Sequence, residues 1–194
     1  CILWSGCTET QQVSPSFEWL EESERPDVTW INQAGAKTFP DKKAFSVNDY
    51  DAVGDGVTFC GDAIQKAIDV CFASGGGTVT FKPGRYLTGA LFVTSGVNLQ
   101  IDAGVTLVAT TDSAAYPDIQ TRIAGIEMIW PAAVINIIDQ KNAAVSGSGL
   151  IDCQGEVWWE KYWTMRKDYE QRGLRWIVDY DCKRVRGLLV SNSS

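Results

Sequence analysis

The 194-residue sequence has no histidine at all. That absence removes Ser-His-Asp and Cys-His catalysis, and it removes the commonest zinc ligand. Cysteine is present at positions 1, 7, 60, 71, 153 and 182, but no CxxC pair occurs, which argues against a zinc ribbon or a thioredoxin-like site. Cys60 and Cys71 bracket an expected helix and would stand about 16 Å apart along it, too far for a disulfide. Cys153 with Cys182 is the one pair that stacking could bring close. Long apolar runs are also missing: none reaches the length of about 18 residues that a spanning helix needs. A positive excess is missing too. The net charge of −7 argues against nucleic acid as a partner, yet leaves an anionic polysaccharide open, because local charge outweighs the total.

What is present is an ordinary globular composition, 45% hydrophobic and 21% charged, long enough to bury one sizeable core. Tryptophan is abundant: of eight, five fall after residue 100. Such rings suit a core, and they also suit a surface that stacks on the apolar faces of sugars. Between Lys161 and Arg186 eight basic residues stand against four acidic ones, a pattern that a solvated helix with its flanking loop explains.

The first seven residues, CILWSGC, read as the end of a lipoprotein-type signal peptide, with Ser5-Gly6 before the acceptor Cys7. A diacylated Cys7 would be a membrane anchor, and the protein would then be extracytoplasmic, in or outside a bacterial envelope. The competing reading is a stray apolar N-terminus. Residues 8–43 are polar, carry Pro15, Pro26 and Pro40, and read as a tether and strap with Trp19, Trp30 and Phe39 as contact points. Residues 44–194 form the expected domain.

That domain is organised around the stretch from Phe45 to Val108. Phe45, Val47 and Tyr50 alternate as in a strand, and Gly54-Asp55-Gly56 supplies a tight turn. Ala63, Ile64, Ala67, Ile68, Cys71 and Phe72 then make one apolar stripe of a helix, with Gln65, Lys66 and Asp69 outward. Gly75-Gly76-Gly77 ends it; a phosphate loop would precede its helix, and these glycines follow one. From Thr78 short strands alternate with Pro83-Gly84, Gly89, Ser95-Gly96 and Ala103-Gly104. That spacing suits a sandwich or a solenoid.

Three segments decide for the solenoid. Gly96–Ile101, Asn142–Gly147 and Cys182–Gly187 align without gaps, so Leu99, Val145 and Val185 share an inward position, and Gly96, Asn142 and Cys182 share a turn. The spacings of 46 and 40 residues leave room for excursions at 110–131 and at the helix-like run from Trp158 to Gly173. The expected class is all-β: a right-handed, single-stranded parallel β-helix. An amphipathic helix caps its N-terminal coils and covers their open strand edges.

Several motifs carry a family resemblance over roughly residues 39–194. FPDKKAFSVNDYDAVGDGVTFCGDAIQKAID, GGGTVTFKPGRYLTG and VNLQIDAGVTL resemble the N-terminal portion of the polygalacturonase-like enzymes, glycoside hydrolase family 28. TRIAGIE and NAAVSGSGLIDCQGEVWW continue the likeness, with two departures: Cys153, where the family usually has Gly, and Phe59-Cys60-Gly61, where Thr or Asp is commoner. The start of the pattern is shared with other pectin-active β-helices, and IDCQGEVWW is its more specific part.

The resemblance implies a secreted enzyme that hydrolyses galacturonic acid linkages of a pectic polysaccharide or oligosaccharide with inversion. It implies no cofactor and no metal. Inversion needs two carboxyl groups about 6.5–9.5 Å apart. The family's Asn-Thr-Asp, Asp-Asp, Gly-His-Gly and Arg-Ile-Lys signatures do not occur here, so no catalytic residue is expected in this chain, which reads as the N-terminal part of such an enzyme and as inactive alone. Asp139 and Asp179 align in the repeat and are expected to cap turns. Arg122, Glu127, Trp158 and Trp159 match family positions, either lining a groove or shaping the loops around it. A calcium-using polysaccharide lyase and a non-catalytic carbohydrate-binding β-helix are the competing readings.

Overall fold

The computed structural model describes residues 20–24, 43–123, 125–174 and 178–193. By internal contact the chain divides between Lys37 and Thr38. The described part of the first unit includes one 3-10 turn, Glu22–Glu24, in which Glu24 N–H donates to the Glu21 carbonyl at 2.9 Å. Cys7, Trp19, Trp30 and Phe39, on which the anchor and strap readings rest, lie outside the described residues.

In the second unit the elements follow in order: β1 (Ala44–Ser46), β2 (Asp55–Phe59), α1 (Gly61–Ala73), β3 (Gly77–Thr80), β4 (Gly84–Thr88), β5 (Leu91–Phe92), β6 (Val97–Gln100), β7 (Val105–Ala109), β8 (Asp118–Ile123), β9 (Ile126–Pro131), β10 (Ile135–Ile138), β11 (Ala144–Ser146), β12 (Leu150–Asp152), α2 (Gly155–Gln171), α3 (Val178–Asp181) and β13 (Leu188–Ser191). Three parallel sheets stack as β1-β3-β6-β11, β2-β4-β7-β12 and β5-β10-β13. This is a parallel β-helix, in which each coil satisfies its backbone against the next. The third sheet has one strand fewer. In the first coil α1 occupies that place and packs against β5.

The core is built by register. Phe45, Val79, Leu99 and Val145 stack through the first sheet, Tyr86, Leu107 and Ile151 through the second, and Leu91 with Ile135 in the third. Val79, Tyr86, Leu91, Leu99, Leu107 and Ile135 are fully buried. Each such side chain contributes about 1.5–3 kcal/mol of transfer free energy.

The pairing of Leu99 with Val145 is the one the sequence repeat foresees, and Gly96 and Asn142 share its corner with φ of 73° and 53°. The third repeat segment is placed differently. Ile135 pairs with Leu188, so residues 182–187 run beside the approach to β10: Val134 N–H donates to Arg186 C=O at 2.8 Å and Ile135 N–H to Gly187 C=O at 3.1 Å. Val185 does not stack on Val145, and Cys182 closes α3 through its N–H to Val178 C=O at 2.9 Å. Every corner of a solenoid repeats a small or polar residue before an apolar one, so a six-residue match identifies a turn without saying which sheet it feeds. Asp139 accordingly meets Asn192, whose Nδ2 donates to it at 2.6 Å, while Asp179 lies in α3.

Other local expectations change for visible reasons. The first strand stops at Ser46, and Val47–Tyr50 is a 3-10 helix. Asn48 folds the chain there: its Nδ2 donates to Ala52 C=O at 2.9 Å and its Oδ1 accepts from Lys82 N–H at 3.0 Å. In the glycine turn only Gly56 has positive φ; a Cβ on Gly54 would stand 3.1 Å from the Tyr86 ring, so close packing explains that glycine. On α1 the residues Ile64, Ala67, Ile68 and Cys71 are buried, but Phe72 is 51% exposed, because it lies a further 100° or so around the helix from Cys71. The helix ends in a Schellman arrangement, Gly75 N–H to Phe72 C=O at 2.9 Å and Gly76 N–H to Cys71 C=O at 3.0 Å.

Cys60, Cys71, Cys153 and Cys182 are all free thiols, so stacking makes no Cys153–Cys182 bridge. Cys60 is buried, with its thiol directed at the Val53 and Thr58 carbonyls, 3.1 Å from each. Among the described residues no helix is long and apolar enough to cross a membrane.

Candidate functional site

Two excursions leave the coils on the same side of the winding, each between the second sheet and the third. One is the antiparallel hairpin β8–β9, inserted between β7 and β10. The other is α2 with α3, inserted between β12 and β13 on the next coil. Between them and the segment leading to β13 lies a groove of about 670 Å³. Its aromatic wall comes from α2, where Trp158, Trp159, Tyr162 and Trp163 share one helical face at i, i+1, i+4 and i+5. The opposite wall is Ile123 and Trp130 of the hairpin, and Cys153, Arg184, Val185 and Arg186 also line it.

Hydrogen bonds hold these parts together. Trp130 is buried and its Nε1–H donates to Arg184 C=O at 2.7 Å. Arg186 reaches Thr121 Oγ1 at 3.3 Å, and Lys183 Nζ pairs with Asp118 at 2.9 Å. The helix α2 has no fully buried residue among those described, and ion pairs one turn apart line its surface: Arg166 bonds Glu170 at 2.8 Å and Arg172 bonds Asp168 at 3.1 Å. It starts at Gln154, whose amide donates to the Ala109 carbonyl at 2.5 Å, and it stops at Gly173 with Leu174 N–H on Tyr169 C=O at 2.7 Å.

The rings and cations are paired within this wall. Tyr162 and Trp163 meet edge to face at 5.3 Å. The Arg184 guanidinium lies 4.0 Å from the Tyr162 ring centroid, and that of Arg166 lies 4.9 Å from the Trp163 centroid. Burial pushes the Cys153 thiol pKa up, and the charge of Asp152 adds to that, so the cysteine is protonated at neutral pH. Burial also lowers the pKa of Arg186 from the ordinary arginine value. Among the described residues no three His, Cys, Asp or Glu side chains cluster as metal ligands would.

Of the four residues the sequence singled out, the structure brings two into the groove. Trp158 is half-buried in its wall, and Trp159 is 63% exposed beside it. Arg122 and Glu127 are neighbours, cross-strand partners 3.8 Å apart, but outside the groove lining. Side chains alternate along a strand, so Thr121, Ile123 and Trp130 face one way and Arg122 and Glu127 the other. Sequence reasoning missed Trp130, Tyr162, Trp163, Arg184 and Arg186. The basic excess between Lys161 and Arg186 was the available signal for the arginines, and it reads equally well as a solvated helix.

Relatives place this architecture. The chain is 35% identical over 121 residues to an exo-poly-α-D-galacturonosidase of Dickeya chrysanthemi, covering 58% of this chain and 20% of that protein. It is 32% identical over 110 residues to an endo-polygalacturonase of Pectobacterium parmentieri, covering 50% of this chain and 27% of that one. Among solved structures, a hyperthermoactive exopolygalacturonase of Thermotoga maritima superposes with a TM-score of 0.64 at 25% identity, over 84% of this chain and 43% of that one. Over part of its length the chain is similar to polygalacturonases. It spans between a fifth and a third of the length of the curated relatives named here. No family model matches it. In this polygalacturonase-like β-helix the groove stands beside the third sheet, at the corner where both insertions emerge.

Proposed function

We propose that the intact protein is a pectin-degrading glycoside hydrolase of the polygalacturonase type, which cleaves galacturonic acid linkages with inversion, and that the groove holds part of its polymeric substrate. The identity to two enzymes named for galacturonan cleavage, carried on the same parallel coils, is the observation that supports this. The groove adds chemistry of the right kind: indole faces for the apolar sides of pyranose rings, and guanidinium groups for their carboxylates. Inversion requires an acid and a base about 6.5–9.5 Å apart, and no pair among these 194 residues is assigned to that work. We place it in residues outside this sequence. The protein is held outside the cytoplasm by a lipid on Cys7.

The test is incubation of the full-length gene product with polygalacturonate, following new reducing ends, ultraviolet absorbance and the anomer first released. Reducing ends of inverted configuration without an absorbing double bond are expected. An unsaturated, absorbing product would make it a lyase, and no product at all would leave a binding module. For the anchor, Cys7→Ser is expected to move the expressed protein from the membrane fraction to the soluble one; an unchanged distribution overturns it.

A further inference from the structure

We propose that one exposed stripe of α2 is the contact face of a two-fold dimer, and that the same stripe of a second copy of this chain covers it. The inference is independent of the pectin reading. Glu156, Trp159, Glu160, Trp163, Thr164 and Lys167 recur at i, i+3, i+4, i+7, i+8 and i+11, so they run along one side of the helix. All six are exposed, Trp159 by 63% and Trp163 by 51%. Both rings also reach the rim of the groove, but the helix buries neither. Indoles left in water on a helix with no fully buried residue among those described mark an unpartnered apolar surface. Trp163 is already held, with Tyr162 edge to face at 5.3 Å and the Arg166 guanidinium 4.9 Å from its centroid. A ring fixed in advance loses little freedom when a partner arrives.

The charges on the stripe say what covers it. Glu156 and Glu160 stand at its N-terminal end and Lys167 at its C-terminal end. None of the three forms an ion pair among the described residues, whereas Arg166 with Glu170 and Arg172 with Asp168 do. The two glutamates lie one turn apart, which destabilises a helix left alone. They also repel an anionic polysaccharide and an anionic lipid surface, so neither is the occupant. A second copy laid antiparallel answers both ends at once. A two-fold axis near residue 161 sets the partner's Lys167 beside Glu156 and Glu160, and the partner's Trp159 against Trp163, each contact occurring twice. The stripe is its own complement in charge and in apolar surface.

The experiment is analytical ultracentrifugation of the full-length gene product, made as Cys7→Ser so that no lipid mediates association. It covers roughly 1–200 µM, because one helix pair is a small interface. A monomer–dimer equilibrium within that range is expected. Glu156→Lys and Lys167→Glu should each weaken the dimer about tenfold, and the double variant should associate at least threefold more tightly than either. The two positions are about 16 Å apart along the helix, so no contact within one copy can produce that rescue. A monomer at every concentration would overturn the proposal, and that measurement needs no variant to fold. A dimer unchanged by both single swaps, with circular dichroism intact, would place the contact elsewhere and overturn it too. So would a double variant that associates no better than the single ones.

Discussion

The side-chain amide of Gln65 closes both open backbone groups of Phe92: its Nε2 donates to the Phe92 carbonyl at 3.0 Å, and its Oε1 accepts from the Phe92 N–H at 2.9 Å. A strand beneath β5 would make the same two bonds, and α1 stands where that strand would be. Asp69 steadies the amide from one turn on, accepting from Nε2 at 2.9 Å. A helix can thus end a parallel ladder by lending it a side chain shaped like a peptide group. Gln65→Ala leaves both Phe92 groups without these partners and is expected to cost about 1–3 kcal/mol, read from urea unfolding.

The glycines after α1 separate two effects that usually arrive together. Gly75 and Gly76 both have positive φ, 93° and 99°, but a Cβ on Gly75 meets nothing within 4 Å, whereas one on Gly76 would stand 2.5 Å from the Gly96 carbonyl oxygen. Gly75→Ala is expected to cost about 1 kcal/mol for the left-handed backbone alone. Gly76→Ala should cost at least about 2 kcal/mol more, since a backbone oxygen in the next coil cannot swing aside. Equal losses in a thermal or chemical melt would contradict the packing of these coils.

Acid should loosen the first turn through Asp55. Its carboxylate accepts from Thr58 Oγ1 at 2.6 Å and from the Thr58 and Val57 N–H groups at 2.8 and 2.9 Å, and these bonds hold its pKa at about 2 against the ordinary 3.8. The folded value is depressed, so this contribution is present above about pH 4 and is lost as pH falls from there through about 2. The melting temperatures of the natural protein and of Asp55→Ala should differ at pH 7 and converge across that window. A gap that stays constant down to pH 2 would contradict the assignment.

Leu99 is fully buried between Val79 and Val145 in the first-sheet stack, whereas Phe72 is half exposed on α1. Leu99→Ala should therefore cost 2–5 kcal/mol, roughly, through lost transfer energy and a cavity flanked by fixed coils. Phe72→Ala should cost under about 1 kcal/mol, although the ring is larger. The two denaturation midpoints, compared at equal slope, check the order.

Much of the coil frame was legible before any coordinates. Turn residues such as Pro83-Gly84 and Ser95-Gly96 divide the strands where β4 and β6 begin, and the 46-residue spacing brings Leu99 to Val145 as found. These features are local, or repeat with the period of the coil, so the chain displays them in its order. The groove was only half legible. Trp158 and Trp159 stand out because they are adjacent in a run that the resemblance covers. Trp130, Arg184 and Arg186 come from a hairpin and from a segment more than fifty residues later, and no periodicity links them.

The amino-acid sequence alone determined the solenoid and its helical cap, because glycine turns, apolar alternation and an amphipathic stripe each act within a few residues. It also excluded histidine chemistry within these 194 residues. Only the tertiary structure decided which sheet the last segment joins, that Asp139 meets Asn192, and that Arg122 and Glu127 face away from the groove. Those outcomes depend on register between coils and on the twofold alternation of a hairpin, where a shift of one residue changes which face each side chain occupies.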